Sequence, residues 1–151
     1  MTTSVATLGD IARMNGLEQL RLVQNGKFSV PTIGDLLGFA IVELAKGEVS
    51  FEMTPDSRML NPLGTIHGGI TATLLDSAMA CAVHSTLEPG QSYTTAQLNV
   101  HYLRSMQPGF GPVRATGTVI HRGRKQSTAE GKLVGPDGKL IAHGTTTCLI
   151  L

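Results

Sequence analysis

Residues 61–76, NPLGTIHGGITATLLD, contain one carboxylate, Asp76, in an otherwise uncharged stretch. Asp76 is the only acidic residue between positions 59 and 87, and no Lys or Arg falls in that span. An aspartate is seldom buried without a partner, so its presence in an uncharged helix needs a reason. Two interpretations fit: an aspartate at a subunit edge or bonded to a nearby loop, or a carboxylate kept in a cleft for chemistry.

His67, Gly68 and Gly69 lie where the helix that contains Asp76 should begin. The first N–H groups of a helix have no acceptor within it, and the helix dipole favours negative charge there. Two glycines remove the Cβ atoms that would keep a ligand away from this backbone. The stretch can therefore donate hydrogen bonds to a carbonyl oxygen that becomes an oxyanion. The alternative is a flexible loop before a tightly packed helix.

A helix start and one carboxylate are a sufficient set of groups for cleaving a thioester. The leaving thiolate has a conjugate acid with a pKa of about 8.5 if it behaves like cysteine, so no general acid is essential. Nucleophile-elbow, phosphate-loop and dinucleotide-binding motifs are absent from the sequence. The histidines lack metal-ligand spacing, and the only cysteines are Cys81 and Cys148. We expect a reaction without a metal or cofactor.

The composition argues against several classes of partner. The 151 residues carry 12 Lys and Arg against 11 Asp and Glu, which offers no broad basic face to nucleic acid or to an anionic membrane. No uncharged window is apolar enough to span a bilayer, and the first residues show no secretory signal. We expect a single domain over residues 1–151 that works in a reducing cytoplasm.

The hydrophobic pattern predicts the order of helices and strands. Apolar residues recur every three positions from 8 to 20 and predict one amphipathic helix that ends near Asn25, and Pro31 opens a short helical turn. A buried helix is predicted over residues 68–87, and strands over residues 39–45, 48–53, 93–105, 112–122, 126–134 and 140–150. We interpret this order as an α+β fold, in which the last four strands form an antiparallel meander and one curved sheet wraps the long helix.

Residues 61–76 resemble the signature of hotdog-fold acyl-CoA thioesterases, above all of their PaaI-like branch. The runs YTTAQLNVHYLRS, HRGR and HGTTT further along the chain match the same pattern. The resemblance covers residues 36–151 as a hotdog core and leaves residues 1–35 as an amino-terminal helical extension. It implies hydrolysis of an acyl- or arylacyl-CoA, with CoA as part of the substrate.

The resemblance also implies roles for individual residues. Asp76 matches the catalytic carboxylate, and Gly68 matches the oxyanion donor, with Gly69 as a second candidate donor. Asn61 matches the position that holds the thioester or the attacking water, and His67 the position that orients it. Each of the last two also has an ordinary explanation, because Asn-Pro often starts a turn and a histidine often caps a helix.

Related enzymes use a hydroxyl on the strand after the helix, and Thr95 matches that position, with Thr94 as the alternative. Threonine is also common in strands for structural reasons.

A basic hairpin is the remaining candidate substrate site. In thioesterases of this kind the nucleotide of CoA binds near such a hairpin, where basic side chains can meet its phosphates. The alternative is a solvated polar turn. The residues of the basic hairpin are Arg122, Gly123, Arg124 and Lys125.

One lineage of 4-hydroxybenzoyl-CoA thioesterases departs from this sequence at two positions. It carries Glu in place of Asp76 and Thr in place of Ala80, so that substrate is not expected. Two other functions remain as alternatives: a non-catalytic acyl-CoA-binding module and a hotdog hydratase. A regulator would need an output element, and residues 1–35 offer no DNA-binding motif.

The spacing of the two candidate groups predicts a homodimer. Gly68 and Asp76 are eight residues apart, which is about 12 Å along a helix. A reacting carbonyl must lie about 3 Å from both groups, and one helix does not easily achieve this. Two antiparallel helices related by twofold symmetry can place both groups near one carbonyl, so we expect active sites shared between two chains. We also expect two such dimers to pair into a dimer of dimers.

Overall fold

The computed structural model describes residues 7–28 and 32–151. Its helices are α1 (Leu8–Ile11), α2 (Gly16–Gln24), α3 (Ile33–Leu37) and α4 (Gly68–His84), with a 3₁₀ turn at Ser57–Met59. Its strands are β1 (Phe39–Ala45), β2 (Glu48–Met53), β3 (Tyr93–Tyr102), β4 (Val113–Arg122), β5 (Gln126–Val134) and β6 (Leu140–Ile150). The helical turn predicted after Pro31 corresponds to α3. Pro31 itself and residues 1–6 lie outside the described residues.

The single amino-terminal helix predicted from the apolar spacing is wrong, because the chain forms α1 and α2 instead. Asn15 starts a new helix: its side chain accepts a hydrogen bond from the Glu18 N–H, and the Glu18 side chain accepts one from the Asn15 N–H. Gly16 then packs against α4 so closely that a Cβ there would lie 1.7 Å from the His84 carbonyl oxygen. The capping pair and this contact together redirect the chain.

The described strands form one six-stranded antiparallel sheet in the order β1-β2-β4-β5-β6-β3. The predicted meander is therefore correct for β4, β5 and β6 and wrong for β3, which pairs with β6. No tight turn follows β3, so a hairpin with β4 is not enforced, and β2 takes the place beside β4. The two edge strands are β1 and β3.

Helix α4 lies on the inner face of the sheet and contacts β2, β3, β4, β5 and β6. Its buried residues include Leu74, Leu75, Ala78, Met79 and Val83, so it is apolar on most sides, as predicted. The helix ends at His84 rather than at the predicted position 87. At this end, the Ser85 hydroxyl donates a hydrogen bond to the Ala82 carbonyl. The predicted α+β architecture is confirmed.

A glycine in β4 allows the helix to approach the sheet. A Cβ on Gly117 would lie 2.4 Å from the Ala78 carbonyl group and 2.5 Å from the Met79 Cα atom. Both are backbone atoms of α4, so neither can move aside as a side chain end would. The position of Asp76, two residues before Ala78, therefore depends on the missing side chain of Gly117.

Candidate active site

Asp76 and Thr95 meet where α4 faces the edge strand β3. Asp76 is half-buried, and the Thr95 hydroxyl donates a hydrogen bond of 3.2 Å to its Oδ1. Thr94 is exposed and pairs with Leu149 on the neighbouring strand. The structure thus places Thr95, of the two candidate threonines, beside the carboxylate.

The surroundings of Asp76 change its acidity. Burial raises the pKa of Asp76 above its usual value, and the hydrogen bond from Thr95 acts in the opposite direction. No cation among the described residues contributes to this balance. A carboxylate with a raised pKa accepts a proton more readily, which suits a general base.

Asp76 lines a cavity of about 450 Å³ between α4, the edge strands and the amino-terminal helices. Ser77 and Cys81 of α4 and Tyr93 of β3 share this wall. Burial, with a smaller contribution from Asp76, raises the pKa of the Cys81 thiol to about 12. Cys81 is therefore a poor thiolate nucleophile near neutral pH.

The start of α4 is held by two side chains. His67 caps the helix, since its Nδ1 accepts a hydrogen bond of 2.8 Å from the Gly69 N–H. The Tyr102 hydroxyl donates a hydrogen bond of 2.8 Å to the Gly68 carbonyl. Gly69 thus already uses its N–H, whereas the Gly68 N–H meets no acceptor in the described part of the chain.

Within the described residues, the side-chain hydrogen bonds of Asn61 all lie in its own loop. Its amide nitrogen donates to the Thr65 hydroxyl at 2.8 Å, and its carbonyl oxygen accepts from the Leu63 and Thr65 N–H groups. The side chain thereby shapes the loop that leads into α4. In the single chain, Asn61 does not line the cavity of Asp76.

Gly68 and Asp76 face different spaces. Gly68 lines a separate cavity of about 260 Å³, together with Tyr102, Arg104 and Met106. The two cavities have no lining residue in common. One chain therefore does not bring the free N–H and the carboxylate to a common carbonyl group.

The basic hairpin between β4 and β5 divides into two parts. Arg122 is half-buried: its Nε donates to the Thr86 hydroxyl at 3.0 Å, its Nη2 donates to the Gln91 side chain at 2.9 Å, and its Nη1 donates to the Gly123 carbonyl. Arg124 and Lys125 are exposed, and their side chains make no ion pair or hydrogen bond within residues 7–28 and 32–151. Arg122 holds the turn against the end of α4, and the other two are free to meet a ligand.

The structure offers no evident place for a metal. Across residues 7–28 and 32–151, the His, Cys, Asp and Glu side chains form no group of three that could hold a metal ion. No helix of the same residues is long and apolar enough to cross a membrane.

The comparisons with known proteins agree with this geometry. Residues 63–142 match the model of the thioesterase superfamily. Acyl-coenzyme A thioesterase 13 of Mus musculus is 33% identical over 132 residues, which cover 86% of this chain and 93% of that protein. The chain belongs to the thioesterase superfamily and is a thioester hydrolase.

Solved structures extend the match to the fold. A phenylacetic acid degradation-related protein of Ralstonia eutropha is 32% identical, with a TM-score of 0.77 over 86% of this chain and 98% of that one. The PaaI protein of Escherichia coli shares the fold, with a TM-score of 0.78 at 22% identity over 89% and 94% of the two chains. The resemblance to PaaI-like hotdog proteins inferred from residues 61–76 is confirmed.

Sequence reasoning missed two residues near the candidate site. Tyr102 bonds to the start of α4, and Cys81 lines the cavity of Asp76. The spacing of Cys81, five positions after Asp76, gave no signal because direct neighbours on a helix are three or four positions apart. Tyr102 lies 34 residues from Gly68, and only the packing of β3 under α4 brings the two together.

Proposed function

We propose that the protein hydrolyses an acyl-CoA to a free acid and CoA, with Asp76 as nucleophile or general base. The observation that supports this most is a half-buried carboxylate that lines an apolar cavity, with a raised pKa and no cation bonded to it among the described residues. A partly buried aspartate is often explained by an ion pair, but Asp76 has no such pair among the described residues. Acyl-CoA as substrate is carried over from the thioesterase of Mus musculus.

In the general-base route, Asp76 takes a proton from a water molecule whose oxygen attacks the thioester carbonyl carbon. The carbonyl oxygen becomes an oxyanion that accepts a hydrogen bond from the Gly68 N–H, the only free donor of the glycine pair among the described residues. The C–S bond then breaks, and CoA leaves as a thiolate. In the nucleophilic route, an Asp76 oxygen attacks the carbonyl carbon itself, the C–S bond breaks, and CoA leaves as a thiolate. Water then hydrolyses the resulting anhydride, which releases the free acid and restores the Asp76 carboxylate.

The oxyanion donor in this proposal belongs to a second copy of the chain. Gly68 and Asp76 line separate cavities, and they are about 12 Å apart along α4. Two copies of α4 packed antiparallel place the start of one helix beside the middle of the other, which makes two equal sites. The open edge strand β3, which carries Thr95, would be covered in such a dimer. A dimer of two such dimers remains a prediction.

The remaining parts of the proposal concern CoA, cofactors and location. Arg124 and Lys125 are exposed cations that can pair with the phosphates of CoA. The reaction as written uses no metal or cofactor. The two cysteines are free thiols, which fits the reducing cytoplasm proposed as the site of action.

The test is Asp76→Asn, which keeps the size and polarity of the side chain and removes its charge. We expect kcat for the best acyl-CoA in a thiol-release assay to fall about 10²- to 10⁴-fold. Glu88→Gln, which removes an exposed carboxylate just beyond α4, is the matched control and should retain kcat. Activity of Asp76→Asn within about threefold of the parent would exclude Asp76 from the chemistry.

A further inference from the structure

The cavity beside Asp76 is closed on one side by the amino-terminal segment. Leu20 and Val23 of α2, and Phe28 after it, line that side. Phe39 of β1 and Phe51 of β2 also line the cavity, and their rings meet edge to face with centroids 5.4 Å apart. Helix α2 and Phe28 are therefore a structural part of the cavity that contains the proposed catalytic carboxylate.

Helix α2 is docked rather than loosely attached. The Gly16 N–H donates to the Leu87 carbonyl at 2.9 Å, and the Gln19 side chain hydrogen-bonds the His84 ring at 2.8 Å. Gly16 lies against the backbone of His84 with no room for a Cβ. These contacts all lie near the end of α4, so they fix the distance between α2 and the cavity wall that α4 provides.

The lining of the cavity is apolar and lacks cations. Three of the four phenylalanines and one of the two tyrosines of the chain line it. None of the described lining residues is Lys, Arg or His, whereas two are carboxylates, Asp76 and Asp35. An anionic group would lose its hydration in this cavity and gain no opposite charge.

We propose that this cavity holds the acyl group of the substrate, that the group is apolar and uncharged, and that α2 limits its length at Val23. The proposal rests on the proposed function, because it places the thioester carbonyl at Asp76. The volume of about 450 Å³ is in the range of small-molecule sites, which is roughly 300–1,000 Å³. Each methylene group of the acyl chain that is buried in the cavity should raise kcat/KM about fourfold, until the acyl chain reaches α2.

The first experiment measures kcat/KM for a series of straight-chain acyl-CoAs. Val23 is 42% exposed, so a larger side chain can be added there without opening the core. Val23→Phe should reduce kcat/KM for the longest good substrates at least about tenfold more than for acetyl-CoA, and Val23→Ala should shift the optimum to longer chains. Leu22→Phe, on the same helix but outside this cavity, is the matched control and should leave the profile unchanged.

Val23→Phe and Val23→Ala change the cavity in opposite directions, so the proposal stays testable if thermal melting shows that one of them is unstable. A chain-length profile unchanged in both variants, or one that shifts equally in Leu22→Phe, overturns the role of α2.

The second experiment compares butyryl-CoA with succinyl-CoA, which differ mainly in a terminal carboxylate. The parent enzyme should favour butyryl-CoA by at least about 100-fold in kcat/KM, because the carboxylate would be desolvated without a cation. Comparable values for the two substrates would overturn the assignment of an uncharged acyl group.

A binding measurement separates this proposal from the proposed function. The neutral fluorescent probe N-phenyl-1-naphthylamine should bind the parent protein, and Val23→Phe should weaken that binding while Leu22→Phe does not. Probe binding that responds to Val23→Phe, without hydrolysis of any acyl-CoA, would refute the proposed function and support the cavity. If the protein hydrolyses acyl-CoA but Val23→Phe changes neither probe binding nor the chain-length profile, the cavity proposal alone is refuted.

Discussion

At the scale of residues, the site depends on one carboxylate and the hydroxyl that touches it. Burial raises the pKa of Asp76, while Thr95 stabilises its charged form through a single hydrogen bond. These opposite effects set the pH at which Asp76 becomes a base. Thr95 therefore has a measurable role even if it never touches the substrate.

Thr95→Val removes the hydrogen bond and keeps the shape of the side chain. Because that bond lowers the pKa of Asp76, its loss should raise the pKa further. The acid limb of the kcat/KM profile against pH should then move to higher pH, since Asp76 must be deprotonated to act. Thr94→Val, one position away and exposed, is the control. An acid limb that stays in place in Thr95→Val would mean that this contact does not tune Asp76.

The basic hairpin gives a second prediction at this scale. Replacing Arg124 and Lys125 with Ala should raise KM for acyl-CoA about three- to tenfold, as expected for exposed charge pairs. KM for an acyl-pantetheine thioester, which lacks the nucleotide, should change little. Arg122→Ala should instead lower the melting temperature, because its guanidinium bonds to Thr86 and Gln91. Equal effects of the double replacement on both substrates would assign these two residues a structural role.

At the scale of elements, the close contact of α4 with the sheet positions Asp76. Gly117 lies against the backbone of α4, whereas a Cβ on Gly131 would meet the Met79 side chain, with its Cγ at 2.7 Å. Backbone cannot move aside as a flexible side chain can, so the two glycines should tolerate a methyl group differently.

Gly117→Ala should therefore lower the free energy of unfolding by about 3 kcal/mol, and Gly131→Ala by about 1 kcal/mol. Urea denaturation followed by circular dichroism measures both values. The activity of Gly117→Ala should also fall if α4 shifts, because Asp76 moves with the helix. Equal destabilisation by the two substitutions would show that the backbone contact at Gly117 is not the tighter one.

At the scale of the whole molecule, the proposed active site is larger than one chain. Gly68 and Asp76 line separate cavities, so the proposal assigns one of the two groups to a second chain. Subunit complementation tests this directly, because each inactive chain keeps one half of the site.

Asp76→Asn and Gly68→Val chains should each be inactive as pure dimers. In the glycine variant, the added side chain would start 3.4 Å from the Tyr102 ring and crowd the donor site. After mixing and subunit exchange, activity should return to about a quarter of the parent value, since half of the dimers are hybrids with one intact site each. Hybrids detected by mass spectrometry without any recovered activity would refute the shared site.

Much of the fold follows from local patterns in the sequence. Strong turn signals such as Asp137-Gly138 delimit β5 and β6, and their predicted bounds agree with the structure. The length and apolar character of residues 68–87 identified α4 as a buried helix, and the isolation of Asp76 identified it as a candidate because both features are local. The family resemblance came from the same short run, residues 61–76.

Tertiary contacts decided what no local pattern could express. The place of β3 beside β6 depends on long-range hydrogen bonding, and the break between α1 and α2 depends partly on the docking of Gly16 against His84. Thr95 rather than Thr94 faces Asp76 because the pleat and the bulge of β3 set that register. Arg122 and Arg124 look equivalent in sequence, but the packing of the hairpin against the end of α4 gives only the first a hydrogen bond to Thr86. The sequence determined which groups exist, and the three-dimensional packing decided which of them meet, because contacts between distant segments are not encoded in their spacing.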